Sequence, residues 1–193
     1  MHEQSKASRR RYYDGAFHSR YFVGRGIDIG AGKDSLAKYH QFFRGIRGIK
    51  QWDLEDGDAQ FMEGVEDNTF DFLHSSHCLE HMVDVRGALG NWLRIVKAGG
   101  YLVLTVPDED LYESGEWPSR FNGDHKHTFT ICKAKSWSPV SINITDLVTE
   151  LSTKINIERI QLQKEFWYPE LYGKDQTQLP NTESCIELII QKK

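Results

Sequence analysis

Gly24-Arg25-Gly26-Ile27-Asp28-Ile29-Gly30-Ala31-Gly32-Lys33-Asp34 passes from alternating apolar residues to a pair of glycines. Ile27 and Ile29 predict a strand of about four residues that ends at Gly30. The Gly30-Ala31-Gly32 turn lets backbone approach a ligand closely, and a helix after it would present free N–H groups. Ser35 to Phe43 reads as that helix, with Leu36, Tyr39 and Phe43 on one face. The third glycine of a dinucleotide fingerprint is absent. Ser35 stands at that position with Asp34 just before it, and an acid there suits a cationic ligand better than a pyrophosphate.

Outward from this turn, strand and helix patterns alternate. Ile46 to Leu54 is a second strand candidate that reaches Asp53, and Asp67-Asn68 marks a turn. Thr69 to Ser75 is apolar enough for a strand buried on both faces. Leu79 to Val96 carries helical spacing, with Leu89, Trp92, Leu93 and Val96 as its stripe, and Ala98-Gly99-Gly100 reads as its C-cap. Tyr101 to Val106 is the strongest strand signal, closed by Pro107. Thr145 to Ser152 reads as a helix. Ile155 to Gln163 and Cys185 to Gln191 are β-rich, and the 165–183 connection is too long for a tight hairpin. The alternation predicts an α/β, Rossmann-like, doubly wound and mostly parallel sheet. Helices cover both faces, the C-terminal strand is antiparallel, and ligands belong at the strand C-termini.

The chain has 193 residues, 39% hydrophobic and 27% charged, which suits one domain over 1–193. Coiled-coil, collagen-like and disordered content are excluded as the main component. No run of about 18 apolar residues offers a membrane span. The basic N-terminus lacks the apolar stretch of a secretory signal. Cys78, Cys132 and Cys185 have no metal spacing and form no disulfide framework, so a cytoplasmic location is expected. Net charge is −4, unevenly spread. Residues 1–50 hold 11 Lys and Arg against 4 Asp and Glu, whereas residues 51–116 hold 3 against 15. Residues 1–22, basic and aromatic, read as a loose start followed by a short packed segment.

Four stretches in order resemble class I S-adenosylmethionine-dependent methyltransferases. GIDIGAG resembles the family's cofactor loop. Gly57-Asp58-Ala59 and the DNTFDFL after it resemble the loop that reads adenine. Ser75-Ser76-His77-Cys78-Leu79-Glu80-His81 resembles the strand end of an LEH-type subgroup, and LRIVKAGGYLVLTV resembles the helix and strand that follow. The resemblance implies S-adenosylmethionine as cofactor. Asp28, Gly30, Ala31 and Gly32 would face its amino-acid moiety, Asp53 its ribose, Asp58 and Ala59 its adenine, and Ser75 and Ser76 its methionine end. Only 25 residues separate Gly32 from Asp58, fewer than the family usually has. A helix and a strand are therefore expected to be reduced or lost, and Glu55 or Asp56 compete with Asp53 for the ribose.

His77, Glu80 and His81 would share one face at a helix start, and Asp124-His125-Lys126-His127 follows later. The set resembles the metal-binding E-x-x-E-H of small-RNA 3′-terminal 2′-O-methyltransferases and ubiquinone-pathway O-methyltransferases, with His77 in place of the first Glu. His77, Glu80, His81 and His125 thus form a candidate divalent metal site, softer than a magnesium site. In a metal-free reading, His77 and His125 serve as catalytic bases.

Residues 108–140 form an excursion after the strongest strand, where an acceptor should lie. Asp108, Trp117, Arg120 and Asn122 suit a polyhydroxylated substrate, and the pattern is similar to methyltransferases associated with surface polysaccharides. The function expected is O-methylation of a sugar hydroxyl or another small-molecule acceptor. Two alternatives stand beside it. One is ribose methylation of RNA held by Arg9, Arg10, Arg11, Arg20 and Arg25, although the net charge makes a nucleic-acid substrate less favoured. The other is a non-catalytic cofactor-binding protein.

Overall fold

The structure, a computed structural model, describes residues 3–193. Period-two apolar runs build one sheet from β1 (Gly24–Ile29), β2 (Ile46–Trp52), β3 (Phe70–Ser76) and β4 (Val96–Pro107). β7 (Ile155–Gln163) and β8 (Cys185–Lys192) complete it, in the order β2-β1-β3-β4-β8-β7. β1 to β4 pair in parallel, and β8 runs antiparallel to both β4 and β7. The predicted architecture is thereby met.

Alternation decides what each face buries. Ile27, Ile29, Leu73, Leu102, Leu104, Leu188 and Ile190 belong to one core. That core also takes Leu89 and Trp92 of α2 (Val85–Ile95) and Leu147 of α3 (Ile144–Glu150). Phe72, Val103 and Ile189 face the other way. They pack on Phe17, Tyr21 and Phe22 around a single π-helical turn, and on Leu36 and Phe43 around a 3-10 helix, Leu36–Phe42. The same parity puts four polar residues on that second face: Asp28, His74, Thr105 and Glu187. They form a row across β1, β3, β4 and β8, covered by α1 (Glu3–Tyr12).

Several sequence expectations need correction. The first residues described are a docked helix rather than a loose start: Glu3, Gln4, Lys6, Ser8 and Arg11 of α1 are all buried. Leu79 to Val96 is two helices. A 3-10 turn, Leu79–His81, gives way to extended backbone at Met82, and Asp84 restarts the chain as N-cap by accepting from Gly87 N. Ala98-Gly99-Gly100 does not cap α2. Val96 already pairs with Phe70, and Gly99, at φ +78°, lies where the register with β3 slips. Between Gly32 and Asp58 the short helix and β2 both survive. The strand is missing further on, since residues 53–69 are turns and β2 is the sheet edge.

The 108–140 excursion is tied down by one buried carboxylate. Glu109 accepts from Thr128, Lys133, Ser136 and Ser141. These bonds hold a π-helical turn, Glu109–Glu113, against a small parallel pair, β5 (Thr128–Thr130) and β6 (Ser141–Asn143). Among the described residues no helix is long and apolar enough to cross a membrane.

Candidate active site

Two cavities open at the C-terminal ends of β1 and β3 and share Gly30 and His77 as lining. The inner chamber measures about 180 Å³ and is lined by Asp28, Gly30, Ala31, Gly32, Ser76 and His77. Lys33, Asp34, His74 and, from α1, Glu3 and Gln4 complete it. The outer cleft measures about 590 Å³. Its lining includes Trp52, Asp53, Leu54, Gly57, Asp58 and Ala59, with Cys78, His81, Met82, Asp124 and Lys126 opposite in sequence.

The glycine turn is shaped by close approach. Gly30 has φ +71°, and a Cβ there would lie 2.6 Å from the Cβ of Cys78. Asp28 holds the loop from beneath. Its Oδ2 accepts from Ser35 Oγ and Leu36 N, and its Oδ1 from His74 Nδ1 at 2.6 Å. Arg11 donates to His74 Nε2, which leaves that imidazole neutral with its proton on Nδ1. Burial agrees, keeping the His74 pKa below its ordinary value. Arg11 is itself fully buried, donating also to Glu187 at 2.7 Å and to Thr105. The glycine loop is thus tied to α1 and β8 through one polar chain.

Asp53 sits at the end of β2 and accepts from Gly32 N. Asp56 pairs with Lys50 at 2.6 Å instead, and neither it nor Glu55 lines the cleft, so geometry separates the three acids. Ala59 is fixed through its carbonyl, which accepts from Trp92 Nε1 of α2. Ser75 is a correction. Strand alternation turns it to the opposite face from Ser76, and its Oγ donates to Ile29 O.

Beside His77 lies a buried cluster. Glu80 is fully buried, and neither carboxylate oxygen has a hydrogen-bond partner among the described residues. His77 Nδ1 stands 3.5 Å and His125 Nε2 3.8 Å from Glu80 Oε1. Burial alone would raise the Glu80 pKa, but the imidazoles of His77, His81 and His125 outweigh it and hold the group below the usual range. For His77, burial is likewise outweighed, here by Glu80 and Glu3, and its pKa is raised. The 122–127 loop docks through backbone bonds from Lys126 N and His127 N to Glu80 O. Glu113 Oε1 accepts from His125 Nδ1 at 2.6 Å, so His125 Nε2 is the nitrogen presented to Glu80.

Glu80, His81 and His125 bring one ligand atom each within 4.8 Å of one another. His77 is not in that set, which corrects the four-ligand expectation. It precedes the 3-10 turn at φ +54° rather than sharing a helix face with Glu80 and His81.

The expected acceptor residues do not converge on these cavities. Asp108 caps the π-helical turn by accepting from Asp110 N and Leu111 N, and burial pushes its carboxyl up to about 6. Arg120 pairs with Glu116 and donates to Gly173 O. Asn122 accepts from Asp124 N and shapes the turn before His125. Trp117 is half-buried and lines neither cavity. Sequence reasoning missed Glu3, Gln4, His74 and Glu113. Only His74 had a signal, as a polar residue at an inward position of an apolar strand.

A family model described as a methyltransferase domain matches residues 7–137. The chain belongs to this methyltransferase family. It is an S-adenosylmethionine-dependent methyltransferase. Solved structures of similar fold include a SAM-dependent methyltransferase from Archaeoglobus fulgidus, at TM-score 0.60 and 18% identity, covering 100% of this chain and 95% of that one. Another, from Thermotoga maritima, has TM-score 0.58 and 18% identity over 98% and 91% of the two chains. One from Aquifex aeolicus has TM-score 0.53 and 14% identity over 95% and 92%. No curated protein matches the sequence. The residues fit the cofactor. Positive-φ Gly30 leaves backbone exposed where a side chain would collide with Cys78, and the buried Nε2 of His77 has no partner.

Proposed function

We propose that this methyltransferase methylates a hydroxyl oxygen of a saccharide-type acceptor. The observation carrying this reading is the buried Glu80 carboxylate, unpaired by hydrogen bonds and ringed by three imidazoles beside the cleft. S-adenosylmethionine supplies a methyl group already activated on a cationic sulfur. An amine or thiolate needs little further help, whereas a neutral hydroxyl needs its proton removed. A cluster of Glu and His is the equipment that distinction demands.

In this reading the inner chamber holds the methionine end, with Gly30, Ala31, Gly32 and Ser76 around it and Asp28 acting through the loop. Asp53 takes the ribose hydroxyls, and Asp58 with the Ala59 backbone takes the adenine. His77, common to both cavities, accepts the acceptor's proton, and without a metal His125, oriented by Glu113, is the second candidate base. Glu80, His81 and His125 would hold a divalent cation of the zinc, manganese or iron type, which would lower the hydroxyl pKa. Asp124 and Lys126, in the outer cleft, replace Asp108, Trp117, Arg120 and Asn122 as the polar groups that meet the acceptor.

RNA is the weaker reading, because most of the N-terminal cations that would hold phosphate are engaged within the protein. Arg10 and Arg11 pair with Glu183 and Glu187, Arg20 with Glu158, and Arg25 lies over Phe70.

The test is methyl transfer to a panel of saccharides and nucleotide sugars, read by product mass and by the position of the new methyl group. Transfer to oxygen is expected, with His77→Gln and His125→Gln each lowering kcat by about 10²-fold or more, and His125→Gln leaving S-adenosylhomocysteine binding unchanged. Transfer only to nitrogen or sulfur, or undiminished rates in both variants, would overturn it. Activity indifferent to chelation, with no metal by elemental analysis, would remove the cation. Acceptor binding that collapses steeply with salt would favour RNA.

A further inference from the structure

In the proposed reading, on which this inference rests, the inner chamber holds the cofactor's methionine end: the chamber then receives an ammonium group, and its carboxylates are not equally free to bind one. Asp28 has both oxygens committed, to His74 and to Ser35 and Leu36. Asp34 likewise accepts from Tyr39 Oη on one oxygen and from Ser5 N on the other. Glu3 differs. Its Oε1 accepts from Lys6 Nζ at 2.6 Å, while Oε2 has no hydrogen-bond donor among the described residues. That oxygen stands 3.9 Å from His77 Nε2, a buried atom that also has no hydrogen-bond partner. Both residues line the chamber, and Glu3 is only 6% exposed.

We propose that Glu3, on the N-terminal helix, binds the ammonium group of the cofactor's amino-acid moiety. Lys6 occupies Oε1, so Oε2 can accept from an ammonium without displacing it. The helix is held in place by the C-terminal part of the chain. Lys6 also donates to the carbonyls of Thr177 and Thr182, Arg10 pairs with Glu183, and Arg11 with Glu187. The cofactor site is therefore composite: the β1 turn supplies backbone, and α1, clamped to the C-terminal strand, supplies the charge. Asp28 positions the turn and does not read the ligand.

The test compares calorimetric binding of three probes by the full chain: S-adenosylhomocysteine, its deamino analogue and 5′-methylthioadenosine. Wild-type protein should bind the deamino analogue about tenfold or more weaker than S-adenosylhomocysteine, as expected for loss of a charge-assisted hydrogen bond. Glu3→Gln should weaken S-adenosylhomocysteine by a similar factor, leave 5′-methylthioadenosine within about twofold, and abolish the discrimination against the deamino analogue. A loss of the same size for all three probes would mean that Glu3 merely supports the helix, and would overturn the proposal. So would wild-type protein that does not distinguish the deamino analogue, a measurement that stands even if the variant folds poorly. No acceptor is present in any arm, so failure of the O-methylation reading would leave this result intact.

Discussion

Gly30 shows how one position can be legible in sequence while its neighbour is not. A glycine after a strand and before a helix announces a turn, and the structure adds the reason that no other residue serves: φ is +71° and the Cys78 side chain fills the space a Cβ would need. Gly30→Ala should destabilise the protein by about 1–3 kcal/mol and weaken S-adenosylhomocysteine binding. Thermal melts and titration would read both, and an unchanged melting temperature would show that the turn yields without strain. Asp28, two residues earlier, is recognisable as an important acid, but its work is not. Spacing reveals nothing about which lone pairs are already used, and those of Asp28 are taken by residues 7, 8 and 46 positions away.

At the scale of elements, α2 was readable as an amphipathic helix and its start was not. Leu89, Trp92 and Leu93 mark the buried stripe, whereas the break at Met82 depends on Asp84 capturing Gly87 N. Trp92 also couples this helix to the 57–59 loop, donating to Ala59 O at 2.8 Å. Trp92→Phe keeps most of the apolar area but strands that carbonyl, and should cost about 1–2 kcal/mol. The denaturant midpoint should fall accordingly, and an unchanged midpoint would mean that water replaces the indole. The helix α1 was the least legible element. Arg10 and Arg11 read as part of a loose basic start able to hold phosphate, and only the folded positions of Glu183 and of Glu187 on β8 reveal their partners.

On the scale of the whole molecule, that arrangement predicts a pH dependence. Glu187 is buried, which alone would raise its pKa, but Arg11 and Arg10 outweigh this and hold it at about 2. A carboxylate depressed in the folded state contributes stability that is fully present above its unfolded value and lost as pH falls through the folded one. Unfolding free energy should therefore drop by about 3 kcal/mol on this group's account between about pH 5 and pH 2. Urea titrations at stepped pH would show it. Glu187→Gln should be less stable at neutral pH yet flatter across this window; equal slopes in both proteins would refute the assignment.

The sequence by itself determined the sheet, its order of strand and helix signals and the glycine turn, because each rests on local periodicity or on residues adjacent in the chain; it left Asp53, Glu55 and Asp56 competing. It also marked Glu80, His81 and His125 as a group. Tertiary structure alone decided that His77 leaves that set for the junction of two cavities, and that the N-terminal cations neutralise a buried carboxylate of β8. Those outcomes depend on pairings between residues up to 177 positions apart. Such pairings form only when the sheet brings the two ends of the chain onto one face, and no local pattern records them.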